Sequence, residues 1–176
     1  MNVTFYIVAA VAVVSTLMVI TRLEMIHALL YLVVSLLSVA LIFFIFGAPF
    51  VAALEVIIYA GAIMVLFVFA IMMLAFGPHA AKRPDHWLRP EGWLGPSILS
   101  AILMGELLYI LTRGSGRLSA AGAVQPKEVG IALFAPYLLG VELASMLLLA
   151  GIVGAYCLGR RDVLRNDYPK EKGEAS

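Results

Sequence analysis

The sequence has few of the residues on which soluble domains, disulfide-stabilised domains and metal sites depend. Charged residues make up 13% of the 176 residues, whereas soluble domains usually contain about 25%. A single cysteine, Cys157, excludes an internal disulfide. The three histidines, His27, His79 and His86, lack the spacing of metal ligands. A net charge of +1 and the lack of a basic stripe argue against a nucleic-acid partner.

The sequence also has no glycine-rich phosphate loop and no arrangement of nucleophile and base. We therefore expect no cofactor and no metal on this chain, and no covalent or acid–base catalysis on a bound substrate. Apolar residues, in contrast, make up 63% of the chain, and the mean hydropathy is +1.03. This composition is typical of a protein that lies within a lipid bilayer.

Five apolar stretches are each long enough to cross a hydrocarbon core of roughly 30 Å as a helix. They cover about residues 3–21, 28–46, 50–76, 93–112 and 131–158. The predicted fold is therefore an all-α integral membrane protein, with a bundle of five transmembrane helices within residues 1–160. Residues 161–176 are predicted to form a polar cytoplasmic tail.

The connections between these spans differ in length and composition. Residues 47–49 leave room only for a tight hairpin between the second and third spans, whereas residues 113–130 are expected to have little regular structure. Pro49 and Pro96 are expected near helix starts, and Pro136 can bend the fifth span.

Lysine and arginine are distributed unequally between the two sides of the predicted bundle. Nine of the 12 lie on the side of the C-terminus and three on the side of the N-terminus. The positive-inside rule therefore predicts an external N-terminus and a cytoplasmic C-terminus. The first span has no preceding lysine or arginine, so we expect it to be retained rather than removed as a signal peptide.

The third span carries one charged residue, Glu55, and a carboxylate inside a bilayer costs about 2.5–3.5 kcal/mol on insertion scales. Tyr59 follows one turn later on the same face, and its hydroxyl group can hold a water molecule. Glu55 either forms a hydrogen-bonded clamp to another helix or exchanges protons. We favour proton exchange, because removal from water disfavours the charged form of a carboxyl group.

The third span also contains a run of small residues, Ala60-Gly61-Ala62, followed at once by bulkier residues that include Met64, Val65 and Phe67. Gly61 serves either close helix packing or a hinge, and the residues alone support both uses. The contrast between small and large side chains favours a discontinuity at residues 60–62.

Two further acids lie within predicted spans. Glu142, in the fifth span, is close to small residues suited to helix contact, so the residues alone favour an interhelical hydrogen bond. Glu106, in the fourth span, is expected to face another subunit or a polar cavity.

Several segments together closely resemble one protein family, subunit J of bacterial NADH-quinone oxidoreductase (respiratory complex I), whose mitochondrial counterpart is the sixth mitochondrially encoded subunit. The segments are HALLYLVVSLL (27–37), GAPFVAALEVIIYAGAIMVLFVFAIMML (47–74), WLGPSILSAI (93–102) and VGIALFAPYLLGVELASMLLLAGIVGA (129–155). The resemblance covers nearly the whole chain and weakens in residues 113–130 and in the tail.

The resemblance implies five transmembrane helices in the bacterial inner membrane and no cofactor on this chain. The implied partners are the membrane-arm subunits that form the quinone chamber and the neighbouring proton-path subunits. The complex as a whole uses FMN, iron–sulfur clusters and a quinone. The family has a π-bulge at the motif that matches residues 59–62, and we expect one within about residues 59–66. Glu55, Tyr59 and Glu142 match the family motif and are implied in the proton path, whereas Glu106 departs from it.

Three functions are consistent with these features. The first is a subunit of a proton-translocating NADH:quinone oxidoreductase that couples quinone reduction to proton movement. The second is a free-standing proton-coupled small transporter, and the third is a scaffold. The lack of internal repeats argues against a transporter, and the acids within the spans argue against a scaffold.

Overall fold

The computed structural model describes residues 3–75, 90–114 and 123–166, and all regular structure in these ranges is helical. The elements are α1 (Val3–Thr21), α2 (Met25–Ile45), α3 (Pro49–Leu54), a π-helical segment (Glu55–Ile63), α4 (Met64–Ala75), α5 (Pro90–Gly114), α6 (Pro126–Phe134) and α7 (Leu138–Asn166). Five helical stretches are long and apolar enough to cross a membrane: Val3–Thr21, Met25–Ile45, Pro49–Met73, Trp93–Thr112 and Leu138–Gly159. The predicted all-α fold with five membrane spans is confirmed.

The chain divides into two compact units, Met1–Gln125 and Pro126–Ser176. In the first unit α2 is the central helix, because it contacts α1, α3, the π-helical segment, α4 and α5. The buried apolar residues of this unit come from α1, α2 and α5 and include Val8, Val11, Val34, Leu41 and Leu103. In the second unit α6 contacts α7.

The connection between α2 and α3 is the predicted tight hairpin. The helix α2 ends at Ile45, and α3 begins at Pro49, where the missing N–H of proline is not needed. Gly47 adopts the left-handed conformation, with φ of 79°, which a glycine accepts without strain. The backbone N–H of Val124 donates to the carbonyl oxygen of Gly47 at 2.9 Å, so this turn is also held by residues that precede α6.

The bounds of the first four spans follow the sequence closely, with small differences. The second span begins at Met25, three residues before its predicted start, and Phe76, the predicted end of the third span, lies outside the described residues. Pro96 was expected near a helix start, but α5 begins at Pro90, so Pro96 lies inside this helix. Pro96 removes one backbone hydrogen bond from α5, because proline has no N–H group.

The fifth predicted span, residues 131–158, is not one continuous helix. A turn at residues 135–137 separates α6 from α7, because Pro136 has no N–H and its ring obstructs the preceding turn. The N–H of Tyr137 instead donates to the carbonyl oxygen of Ala132, five residues earlier, at 3.1 Å. The expectation of little regular structure is also wrong for residues 126–130, where Pro126 begins α6 with Glu128 in its first turn.

Candidate functional site

The third span changes helix type at Glu55. The N–H of Glu55 donates to the carbonyl oxygens of Ala52 and Val51, three and four residues earlier, as at the end of an α-helix. At the other end of the π-helical segment, the N–H of Met64 reaches the carbonyl oxygen of Tyr59, five residues earlier. The predicted π-bulge is therefore confirmed, but it covers Glu55–Ile63 rather than 59–66.

Gly61 is closely confined by the backbone of the preceding turn. A Cβ atom at this position would lie 3.3 Å from the carbonyl oxygen of Val56, which is five residues earlier. Few side chains come this close to a backbone atom, and a carbonyl oxygen within a helix has little freedom to move. The glycine therefore permits the close approach of neighbouring π turns. The contribution of Val56 could not be recognised in the sequence, because it is made by a backbone atom.

The structure brings Glu55 and Tyr59 together with the small residues of the predicted joint. Glu55 begins the π-helical segment and is half-buried, and Tyr59 lies within the segment with 49% of its surface exposed in this chain. Because an unpaired hydroxyl group is costly in hydrocarbon, the exposed side of Tyr59 suits a polar neighbour or water. Ala60, Gly61 and Ala62 complete the middle of the segment.

The bulky residues of the predicted joint belong to α4 rather than to the π-helical segment. Met64 begins α4 and is 5% exposed, so its side chain packs in the interior of the first unit. Val65 and Phe67 are exposed on the surface of this chain. The carboxyl group and the phenol therefore lie within the π-helical segment. The apolar side chains that follow it in α4 are one buried residue and two that face outward.

An apolar cleft of about 350 Å³ lies beside the start of the π-helical segment. Residues of α2, α3 and α5 form most of its wall, and Val56 contributes from the π-helical segment: Leu37, Ala40, Leu41, Phe44, Pro49, Ala52, Ala53, Val56, Ser100, Leu103, Met104 and Leu107. The cleft leaves space into which the Val56 side chain can move. Sequence reasoning missed it, since a cleft depends on how helices from distant parts of the chain pack.

The other two acids lie on different elements. Glu106 is half-buried on α5, between Met104 and Leu107, which line the cleft. Glu142 lies on α7 in the second unit, where its side chain is exposed. The hydroxyl group of Ser145 donates to the backbone carbonyl oxygen of Glu142 at 2.7 Å. The described residues contain no group of three or more His, Cys, Asp or Glu side chains that is suited to holding a metal ion.

Comparison with known proteins identifies the family. Residues 15–158 match the family described as NADH-ubiquinone/plastoquinone oxidoreductase chain 6. NADH-quinone oxidoreductase subunit J of Pseudomonas aeruginosa is 55% identical over 92% of this chain and 98% of that protein. The proteins of the same name from Escherichia coli strain K12 (49% identical, 92% and 88% covered) and Buchnera aphidicola subsp. Schizaphis graminum (48%, 91% and 98%) are also similar. The chain therefore belongs to the NADH-ubiquinone/plastoquinone oxidoreductase chain 6 family.

Proposed function

We propose that this chain is a membrane-arm subunit of NADH-quinone oxidoreductase that couples quinone reduction to proton translocation. The observation that carries the proposal is a π-helical segment that begins at Glu55, the one charged residue of the third span. The relatives named subunit J support the assignment to this complex. The chain is a multi-pass protein of the inner membrane. FMN, the iron–sulfur clusters and the quinone belong to other parts of the complex.

The outward-facing surface of the spans suits a subunit that packs against lipid and against other subunits. No residue in the most apolar window of Leu138–Gly159 is buried within this chain. Large apolar side chains there, such as Leu147 and Leu148, are more than two-thirds exposed. Contiguous apolar surface of this kind is stable in hydrocarbon or in a subunit interface. We assign the N-terminus to the external side and the C-terminus to the cytoplasm from the distribution of lysine and arginine.

The proposed movement is a change of the π-helical segment to α-helical geometry and back. Removal of one residue from the wide turn rotates the following segment by about 100°, since an α-helix has 3.6 residues per turn. Met64, which is buried, and Phe67, which is exposed, would then both rotate relative to Glu55 and Tyr59, so that one packed face replaces another. Gly61 permits the change because it has no side chain, and the cleft beside Val56 leaves space for it.

The proposed chemistry is proton exchange between carboxyl groups and water. Glu55 takes up and releases the proton, and the Tyr59 hydroxyl group holds the water that carries it. Apolar side chains close this path in one helix geometry, and rotation admits water in the other. Glu142, on α7, is proposed as a further carboxyl group of the path.

Replacement of Glu55 by glutamine tests this function in the assembled complex. Glu55→Gln keeps hydrogen-bonding capacity and removes the titratable proton, so we expect normal assembly and a lower number of protons translocated per electron. Proteoliposomes that contain the purified complex allow proton uptake and quinone reduction to be measured together. Glu106→Gln is the matched control, because it changes another half-buried acid in the same unit. An unchanged ratio at full electron transfer would assign Glu55 to a structural clamp.

Membership of the complex has its own test. A tagged form of this chain, isolated in mild detergent, is expected to carry flavin and iron–sulfur subunits with it. Proton transport by the isolated chain in vesicles would instead support a free-standing transporter. Isolation with the complex, but with normal proton translocation in all the acid variants, would support a scaffold.

A further inference from the structure

One face of α2 carries polar residues in place of the apolar residues expected at a helix interface inside a membrane. His27, Tyr31, Ser35 and Ser38 recur at intervals of four, four and three residues, which places them on the same side of the helix. Their exposed fractions are 8%, 2%, 7% and 0%, so the whole face is buried within the first unit. We call these four residues the polar face of α2.

Helix α1 presents the hydroxyl group of Thr16 to this face. Oγ1 of Thr16 lies 2.9 Å from Oγ of Ser35, which is a direct hydrogen bond between the two helices. Ser15, the neighbour of Thr16, is fully buried. The hydroxyl group of Ser38 donates to the carbonyl oxygen of Val34 at 2.8 Å and retains capacity to accept a hydrogen bond.

Two buried polar atoms on α1 and α2 have no hydrogen-bond partner among the described residues. They are Nε2 of His27 and Oγ of Ser15. Buried polar atoms are nearly always hydrogen-bonded, and ordered water is the usual partner where the protein provides none. These atoms lie on α1 and α2, two helices in contact with each other, and water within this part of the first unit would satisfy both.

Charged residues surround the end of the polar face where α2 begins. Nδ1 of His27 lies 3.5 Å from Oε2 of Glu24, whose side chain is 48% exposed. Nη2 of Arg22 lies 3.5 Å from the Tyr31 hydroxyl oxygen, and the guanidinium carbon is 5.6 Å from the centre of the Tyr31 ring. One ring nitrogen of His27 thus faces an accessible carboxyl group, and the other is buried.

We propose that α1 and the polar face of α2 form a hydrated half-channel, in which His27 passes protons from the Glu24 side to water held by the serine hydroxyl groups. His27 and Ser38 are separated by eleven residues, or about 16 Å of helix, which is roughly half of a 30 Å hydrocarbon core. Residues one turn apart are about 6 Å apart, a distance that one water molecule spans with two hydrogen bonds of about 2.8 Å. The half-channel uses neither Glu55 nor Tyr59.

The proton step at His27 is balanced on the ring itself. The O–H bond of the protonated Glu24 carboxyl group breaks as an N–H bond forms at Nδ1, the N–H bond at Nε2 breaks as its proton passes to water, and the exposed Glu24 carboxylate regains a proton from solvent. An imidazole ring carries two nitrogens, one of which can accept a proton while the other donates one, which suits such an exchange. Rotation of the neutral ring then turns the bare Nε2 toward Glu24 and the Nδ1 N–H toward the water, which gives an equivalent starting state with the two nitrogens exchanged.

Thiol accessibility in the assembled complex tests the hydration. Ser38→Cys and Ala40→Cys are each combined with Cys157→Ser, treated with methyl methanethiosulfonate, and this chain is analysed by mass spectrometry. Ala40 is the matched control, since it is 5% exposed, lies two residues away on α2 and lines the apolar cleft. Only a thiolate reacts rapidly, and it forms in contact with water, so we expect about tenfold faster modification for Ser38→Cys. Equally slow modification of both variants would overturn the proposal.

Two replacements of His27 test the proton step. His27→Leu and His27→Gln are both expected to lower the number of protons translocated per electron, because neither side chain titrates. Glutamine can still donate a hydrogen bond, so a purely structural histidine would be rescued by His27→Gln, and that result would overturn the assignment. Ser145→Ala, which removes an exposed hydroxyl group on α7, is the control. If His27→Leu does not assemble, the glutamine variant and the thiol comparison still decide.

The half-channel and the Glu55 site can be distinguished in one double variant. If they are separate routes, the losses of His27→Gln and Glu55→Gln should add in the doubly substituted complex. A double variant no worse than either single variant would overturn the proposal of a separate route. An effect of His27→Gln with none of Glu55→Gln would support the half-channel and contradict the proposed role of Glu55.

Discussion

The hydroxyl group of Tyr31 on α2 occupies the place where a side chain at Gly95 of α5 would begin. Tyr31 is only 2% exposed, and Nη2 of Arg22 lies 3.5 Å from its hydroxyl oxygen, so the hydroxyl group is held at this position. Pro96, which follows the glycine, is buried as well. The glycine is therefore required by the close approach of α5 to α2, and helix flexibility is not needed to explain it.

Gly95→Ala is expected to lower the stability of the subunit, because the added methyl group overlaps the Tyr31 hydroxyl group. Overpacking of a filled interior usually costs about 1–3 kcal/mol. The amount of this subunit in purified complex, and the temperature at which the complex dissociates, would measure the effect. Gly105→Ala on the same helix is the control, since no atom lies within 4 Å of the new Cβ position. Equal stability of the two variants would contradict the required close approach.

Gly61→Val is expected to lower coupled turnover more than it lowers assembly. The branched side chain would press on the carbonyl oxygen of Val56, so it should hinder conversion between π and α geometry. NADH-driven proton uptake, divided by the amount of assembled complex, is the appropriate measurement. Gly151→Val is the control, because that position in α7 is exposed and unobstructed. Loss of activity in strict proportion to loss of assembly would restrict Gly61 to helix packing.

Glu106→Leu is expected to assemble and to translocate protons normally. The family resemblance implies no role for an acid at position 106, and removal of a half-buried acid from a membrane helix removes a desolvation cost. The measurement is the number of protons translocated per electron, beside that of Glu55→Gln. A loss as large as that of Glu55→Gln would bring Glu106 into the proton path.

Fusion of reporters to the two termini tests the predicted orientation. A fluorescent protein that matures only in the cytoplasm is expected to fluoresce at the C-terminus, and alkaline phosphatase, active only outside, is expected to be inactive there. The physical basis is the excess of lysine and arginine on that side of the bundle. Phosphatase activity at the C-terminus would reverse the assigned orientation.

Length and hydropathy predicted the helices correctly where these properties determine the structure. The prediction was wrong where a single backbone group interrupts a helix. The first span agrees with the structure at both ends, and the fourth agrees in its membrane-spanning part. The fifth span failed because the apolar run continues through residues 135–137, although Pro136 interrupts the helix there. Hydropathy averages over a window and does not register a missing N–H.

The π-bulge of the third span was predicted in its presence more accurately than in its bounds. Tyr59 and Gly61 lie in the π-helical segment as expected, but the segment begins four residues before Tyr59 and so includes Glu55, which was expected to precede it. Its first turn depends on backbone hydrogen bonds and on packing against α2, which no short motif specifies. The polar face of α2, in contrast, was visible as a spacing of four, four and three residues from His27 to Ser38 and was missed.

The hairpin before the third span determines which end of the span moves in the proposed rotation. Gly47 holds its turn in a left-handed conformation, its carbonyl oxygen is bound by Val124, and α3 begins only two residues later. The start of the third span is thus held in place by the hairpin. The proposed conversion of the π-helical segment to α geometry would therefore rotate α4, while α3 stays in place. A subunit that packs against α4 would register the movement of the third span, and one that packs against the hairpin would not.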